Sequence, residues 1–200
     1  MKVPATQIRE ARQSDAGQVA SIYRPWVERT AVSFELEPPP PEEMARRIAT
    51  LGSYAPWLVC EGAEGILGYS YASRHRDRAA YQWSVDSAVY VRGDLHRRGV
   101  GRALYTSLFA LLRLQGFVAA HGGITLPNSN SEGLHRAMGF RFVGVYPAVG
   151  FKLGAWHDVG WWQLRLKDSP PQPRDPLALA QARGLPGWKE ALASGAAGLR

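Results

Sequence analysis

The chain of 200 residues has one cysteine, Cys60. A single thiol excludes an intramolecular disulfide framework and any metal site built from cysteines. Cys60 sits in the apolar run PWLVCEG, where a small buried side chain is expected and a nucleophile is the lesser alternative. No uninterrupted apolar run reaches membrane-span length, and the start, MKVPATQIREARQ, lacks the apolar stretch of a secretory signal. These absences point to a cytoplasmic protein with no membrane partner. Acidic residues are in deficit, 17 against 24 Lys and Arg, for a net charge of +7. That balance favours anionic ligands. The basic residues are dispersed, however, and no DNA-reading module or RNA-binding aromatic motif occurs, so no nucleic-acid partner is expected. The common nucleotide fingerprints are missing as well: there is no G-x-G-x-x-G and no glycine followed by G-K-[ST].

What is present suits one α/β domain. A short strand is expected at Thr6–Ala11. A helix follows over Ser14–Arg29, capped by Ser14 or Asp15 and kinked or split by Pro25. After the break at Pro38–Pro41, Pro41-Glu42-Glu43 suits the first turn of a second helix, to about Leu51. Trp57–Glu61 and Ile66–Ala72 flank the turn-rich Gly62–Gly65 as a hairpin, and Tyr81–Val91 is a further strand. Gly99–Gln115 carries the clearest apolar helical face and is closed by Gly116. Ala119–Thr125 reads as strand, Ser131–Met138 as a short helix, and Phe140–Val149 and Val159–Leu166 as the last strands. Hairpins together with a crossover helix imply a mixed sheet flanked by helices. The domain is expected to span 1–167. DSPPQPRDP (168–176) reads as an extended linker, and 177–200 as a tail, either docked as a short helix at Leu177–Ala182 or disordered.

The most informative stretch is VYVRGDLHRRGVGRAL, Val89 to Leu104. It reads as a strand running through a glycine-punctuated loop into the long helix. A helix start offers unpaired N–H groups and the positive end of a dipole, and glycines allow close approach. Arg97, Arg98 and Arg102 surround Gly99, Val100 and Gly101. A phosphate or diphosphate is the natural guest. On the residues alone, a turn with solvated arginines remains equally open.

This segment resembles the acetyl-coenzyme A loop of GNAT-type N-acetyltransferases, whose pattern is [Q/R]-x-x-G-x-[G/A] after a strand. Here it is His96-Arg97-Arg98-Gly99-Val100-Gly101, with His in the first place. VDSAVYV, ITLPNSNSEGLHRAMGF and GFKLGAWHDVGWW are similar, in order and spacing, to segments of the phosphinothricin and methionine sulfoximine acetyltransferase branch. The likeness covers about Gln7 to Leu166. It implies a GNAT-like, mostly antiparallel twisted sheet and acetyl-CoA as cosubstrate, with no metal. The acceptor is then the amine of a small amino acid, and the assembly a homodimer. Val89, Tyr90 and Val91 would pair with the pantetheine arm, Arg97 to Arg102 would hold the diphosphate, and Asn128 would contact the arm beyond the next strand. Asp86 stands where the family usually has Glu and is the candidate base, one methylene shorter and suited to act through a water. His135 stands at the general-acid position.

Direct amine attack needs a neutral amine, a positioned thioester, a stabilised oxyanion and a proton for the thiolate. Without the resemblance, Asp86 reads more readily as a local hydrogen-bonding residue and His135 as structural. In SRHRDRAAY, guanidinium groups suit carboxylate or phosphinate capture. The resemblance sets Arg76 and Arg78 at the acceptor edge with Tyr81 nearby, and Phe34 at the pocket-lining end of the first helix and its loop. A solvated charged loop and a core aromatic are the alternatives. His157-Asp158 is taken as structural, since adjacent strand residues face opposite sides. A non-catalytic acyl-CoA-binding domain and an acetyltransferase for a different small amine also remain open.

Overall fold

A computed structural model describes residues 6–95 and 98–199. Seven strands among them form one sheet: β1 (Gln7–Glu10), β2 (Trp57–Gly62), β3 (Gly65–Arg74), β4 (Ser84–Val91), β5 (Ala119–Leu126), β6 (Arg141–Lys152) and β7 (Ala155–Arg165). Their spatial order is β1-β2-β3-β4-β5-β7-β6. Every neighbouring pair is antiparallel except β4 and β5. A parallel pair needs a crossover, and helix α3 (Val100–Gln115) supplies it.

Strand alternation divides the core between the two faces. Trp57, Val59 and Tyr69 pack under α1 (Ala16–Arg29) and α2 (Pro41–Tyr54). Leu58, Cys60, Val85, Ala120 and Ile124 pack under α3. Cys60 is fully buried, and that burial pushes its thiol up to about 11, which suits an inert core residue. On the α1 face the aromatics form a continuous layer: Trp57 stacks on Tyr71 at 4.5 Å, and Tyr23 meets Tyr90 edge-on at 4.8 Å.

Two local expectations are corrected. Helix α1 is not split at Pro25 but runs through it as one helix. Pro25 and Ser21, whose carbonyl loses its amide partner, are both exposed, so water can take the vacated acceptor. Asp15 does not cap α1 with its side chain. Its Oδ2 instead accepts from the Arg12 N–H at 2.7 Å, and its two oxygens accept from the Arg9 guanidinium at 2.7 and 2.9 Å. The remaining boundaries fall close to expectation. Pro41 opens α2, and Gly99 (φ 82°) and Gly116 (φ 106°) bracket α3 in the left-handed conformation that glycine adopts at no steric cost.

The tail is docked, over a longer stretch than expected. It forms α5 (Leu179–Ala182) and α6 (Trp188–Ala193). Leu179, Ala182 and Trp188 join the same apolar cluster as α3. Ser107 Oγ on α3 donates to the Leu192 carbonyl at 2.7 Å and accepts from the Gly195 N–H at 3.1 Å. Any Cβ at Gly195 would run into the Ala103 carbonyl of α3, so only glycine allows this approach. Arg183 pairs with Glu10 of β1.

Removing a buried indole leaves a cavity and loses its transfer free energy. Trp188→Ala is therefore expected to destabilise the whole fold by about 3–5 kcal/mol. A single cooperative shift of the melting midpoint by calorimetry would bear this out. An unchanged midpoint would mean that the tail is not part of the core.

Candidate active site

The site begins where two strands part. β4 and β5 pair only at Ser84↔Ala119, Val85↔Ala120 and Asp86↔His121, although both strands continue, to Val91 and to Leu126. Beyond Asp86, β4 is still bonded to β3, at Val89↔Ser70, Tyr90↔Tyr69 and Val91↔Gly68. Its other edge faces the gap, where alternate N–H and C=O groups are open to a ligand. The gap holds a cavity of about 460 Å³ with Val89, Tyr90 and Val91 on one bank and Thr125, Leu126, Pro127 and Asn128 on the other. Trp26, Val32 and His157 close it on the α1 face.

A second cavity of about 620 Å³ shares Val91, Asn130 and Leu134 with the first and runs to Gly99, Val100, Gly101 and Arg102. The two adjoin at these residues, one reaching the mouth of α3 and the other the gap in the sheet. The first backbone bond across the α3 N-terminus runs from Ala103 N–H to Gly99 O at 2.9 Å. The N–H groups of Val100, Gly101 and Arg102 lie ahead of it, at the positive end of the helix dipole. A Cβ on Gly101 would sit 3.3 Å from Leu134 Cδ2 and narrow the second cavity. Asn128 caps α4 (Ser129–Ala137), accepting from the Ser131 N–H at 3.1 Å, while also lining the gap. The shape and donor set fit a long, anionic, narrow-armed molecule such as an acyl nucleotide carrier. Arg98 is exposed beside the α3 mouth, and Arg97 lies outside the described residues.

Asp86 occupies the last paired position before the gap. Val85, Val89 and Val91 pack on the α3 side and Tyr90 on the α1 side, so alternation turns Asp86 to the α1 face. Its Oδ1 is 2.7 Å from Nδ1 of His75, the residue that follows β3. The His75 ring stacks on His121 at 4.2 Å and meets Tyr81 edge-on at 5.9 Å. Burial raises the Asp86 carboxyl above its usual range, opposed by the His75 hydrogen bond and then by the His75 and Arg76 charges. Arg76 Nη1 donates to the His75 carbonyl at 2.8 Å, and its guanidinium lies 5.8 Å over Trp161. Arg78 is exposed at the start of the Ala79–Tyr81 turn. Asp86, Arg76 and Tyr81 thus come together around His75. His121 was not anticipated: it is the one imidazole in an apolar strand, and only the register sets it opposite Asp86.

His135 is elsewhere. It is 4% exposed on α4, on the α3 side of the sheet. Its Nδ1–H donates to the Ser131 carbonyl at 2.8 Å, and Nε2 is 3.5 Å from Tyr105 Oη. The ring covers Gly122, where a Cβ would come within 2.7 Å of Nε2. Burial lowers its pKa, which favours the neutral imidazole. Its neighbours Ser131 and Leu134 reach the cavity wall.

A buried lysine holds the wall on the α1 face. Lys152 Nζ donates to the carbonyls of Val27 and Ser33, both at 2.6 Å, tying β6 to the end of α1 and its loop. His157 Nε2–H donates to the Lys152 carbonyl at 2.9 Å. Phe34 packs over Gly150 and lies 6.3 Å from His157, at the rim of this wall.

The model of the acetyltransferase (GNAT) domain matches residues 8–161. The chain is 38% identical to the phosphinothricin N-acetyltransferase of Streptomyces viridochromogenes over 172 residues, covering 86% of this chain and 94% of that one. It is 33% identical to the L-methionine sulfoximine/L-methionine sulfone acetyltransferase of Pseudomonas paraeruginosa, covering 81% and 95%. The crystal structure of a GNAT superfamily phosphinothricin acetyltransferase from Sinorhizobium meliloti, in complex with AcCoA, superposes with a TM-score of 0.80. It is 32% identical and covers 86% of this chain and 94% of that one.

Lys152→Met removes the donor from two carbonyls while keeping most of the side-chain volume. A loss of about 1–3 kcal/mol is expected for the unpaired groups. Amide exchange should speed up over residues 27–35 more than in β3. Equal protection in variant and parent would remove Lys152 from the wall.

Proposed function

Since the chain belongs to the GNAT acetyltransferase family, we propose that it moves acetyl from acetyl-CoA to the amine of a small amino acid such as phosphinothricin or methionine sulfoximine. The amine attacks the thioester directly. The observation that carries this reading is the pair of adjoining cavities that reach from the α3 mouth into the gap between β4 and β5, a gap that opens beyond the last paired residue, Asp86. The N–H groups of Gly99 to Arg102 suit the diphosphate, with Arg102 and the exposed Arg98 adding positive charge. The open edge of Val89 to Val91 suits the amides of the pantetheine arm, with Asn128 on the opposite bank. Asp86, through His75, lies in the region where the amine must lose a proton. Arg76, near enough to act on the Asp86 carboxyl, suits the acid group of the substrate, with Tyr81 and Phe34 as apolar walls. Arg78 is exposed at the same edge and is assigned the outer contact with that acid group.

We also propose a homodimer acting in the cytoplasm. Phe142, Val143, Tyr146, Val149, Phe151 and Trp156 leave a wide exposed apolar row on the β6–β7 hairpin at the sheet edge. Such a patch favours a partner surface, and a second copy fits the family resemblance. Cys60 is buried and unpaired, which suits a reducing compartment. Among the described residues no helix is long and apolar enough to cross a membrane.

The test is thiol release from acetyl-CoA against a panel of amino acids that includes phosphinothricin and methionine sulfoximine. Turnover with at least one member is expected. Tight acetyl-CoA binding without turnover across the panel and across other small amines would favour a non-catalytic acyl-CoA-binding domain. Gly101→Trp fills the cavity beside Leu134 and should abolish acetyl-CoA binding by calorimetry while the fold persists. Unchanged affinity would refute the loop assignment. Asp86→Ala should lower kcat by about 100-fold or more, the range of a lost acid–base group, with acetyl-CoA affinity retained. Equal turnover would remove Asp86 from the chemistry.

A further inference from the structure

His75, Asp86 and His121 come from three different segments and meet at the point where the sheet opens. Their potential ligand or proton-carrying atoms lie within 4.8 Å of one another. The contact between His75 Nδ1 and Asp86 Oδ1 is 2.7 Å. A carboxylate only accepts, so Nδ1 carries the hydrogen and the lone pair of the neutral ring is on Nε2. His121 Nε2 is 3.1 Å from the Gln163 amide nitrogen, which makes it an acceptor too. It lies flat against His75, at 20° between planes. Burial, then the charge of His75, disfavours a proton on His121. Of the two rings, His75 alone has a carboxylate partner. The groups that face it are Asp86, His121, Arg76, Tyr81 and Trp161.

We infer that His75 is the base that takes the proton of the substrate ammonium, with Asp86 as the carboxylate that orients the ring and stabilises its charged form. This rests on the acetyltransferase reading above. A lone aspartate is a weak base near neutral pH, and an imidazole is matched to it. The proton balance closes. His75 Nε2 takes one proton from the ammonium, giving a neutral amine and an imidazolium paired with Asp86. The amine nitrogen attacks the thioester carbonyl carbon, the C–N bond forms, and the C–S bond then breaks. The proton left on the new amide nitrogen goes to the departing thiolate, and the imidazolium returns its proton to water. The sum is ammonium plus thioester giving amide, thiol and one proton. Asp86 is thereby a positioning residue.

The experiment separates a base from a mere partner of Asp86. His75→Asn keeps an N–H donor in place of Nδ1 but has no basic atom. His75→Gly leaves a hole that free imidazole can enter. With an amine that the parent acetylates, kcat/KM should fall about 100-fold or more in both variants, with acetyl-CoA affinity and melting midpoint near the parent values. Added imidazole should restore part of the His75→Gly rate and none of the His75→Asn rate. Near-parental turnover in His75→Asn would show that His75 only positions Asp86 and would overturn the proposal. So would a His75→Gly rate indifferent to imidazole. If either variant fails to fold, the parent decides: its activity should survive chelator and be unchanged by added Zn²⁺ at equimolar concentration. Loss with chelator, or tight Zn²⁺ capture that needs His75 and His121, would make the cluster a metal site and also overturn the proposal. Failure of the parent to acetylate any amine tells against the acetyltransferase reading itself, which is a different result.

Discussion

The architecture depends on a parallel ladder that stops after three register pairs. Below Asp86↔His121 the two central strands hold each other. Above it they separate, and the sheet contains a permanent gap. The gap does not close because each bank is already secured from behind. β4 is bonded along its length to β3, and β5 along its length to β7. Pulling the banks together would break antiparallel ladders that together bury most of the core. An unpaired strand edge would ordinarily invite association. Here it lies inside the molecule, where a slender ligand can occupy it.

The two faces of the gap carry different chemistry for a simple reason. Side chains alternate along β4 and β5, so the gap is bordered by apolar groups toward α3 and by titratable groups toward α1. Long-helix N–H groups provide fixed positive potential on the first side without any side chain having to be charged. On the second side, burial raises a carboxyl and lowers an imidazole, while the His75 hydrogen bond opposes the first shift. The proposed anion capture and proton handling would thus fall on opposite sides of one sheet. Lys152 and His157 lock the end of α1 to the β6–β7 hairpin, which fixes the second side relative to the first.

Local features were readable from the residues. The glycine bracket of α3, Pro41 at the first position of α2, the hairpin around Gly62–Gly65 and the mixed sheet all follow from short-range rules. So did the family resemblance, because its motifs are contiguous. What escaped depends on register and burial. The His75–Asp86–His121 group needs three segments to be aligned, and a one-residue slip in β5 would turn His121 to the other face. Pro25 was expected to break α1, since nothing local says that the vacated carbonyl faces water. His135 matched a position in a motif, but which way its ring points is decided by Gly122 on another strand. Lys152 gave no signal, since a lone lysine in an apolar strand end reads as solvated until its carbonyl partners are seen.

The docked tail has a consequence for the anion cradle. Gly195 rests on the Ala103 carbonyl at the end of the first turn of α3, and Ser107, a further turn along, clasps the chain on both sides of Ser194. Fraying of that first turn would have to strip the tail away at the same time. A binding loop normally loses conformational freedom when its guest arrives, and that loss weakens capture. Here a C-terminal segment beyond the residues that match the family, with the Gly198 carbonyl close to Gly99, orders in advance the backbone proposed to hold the diphosphate.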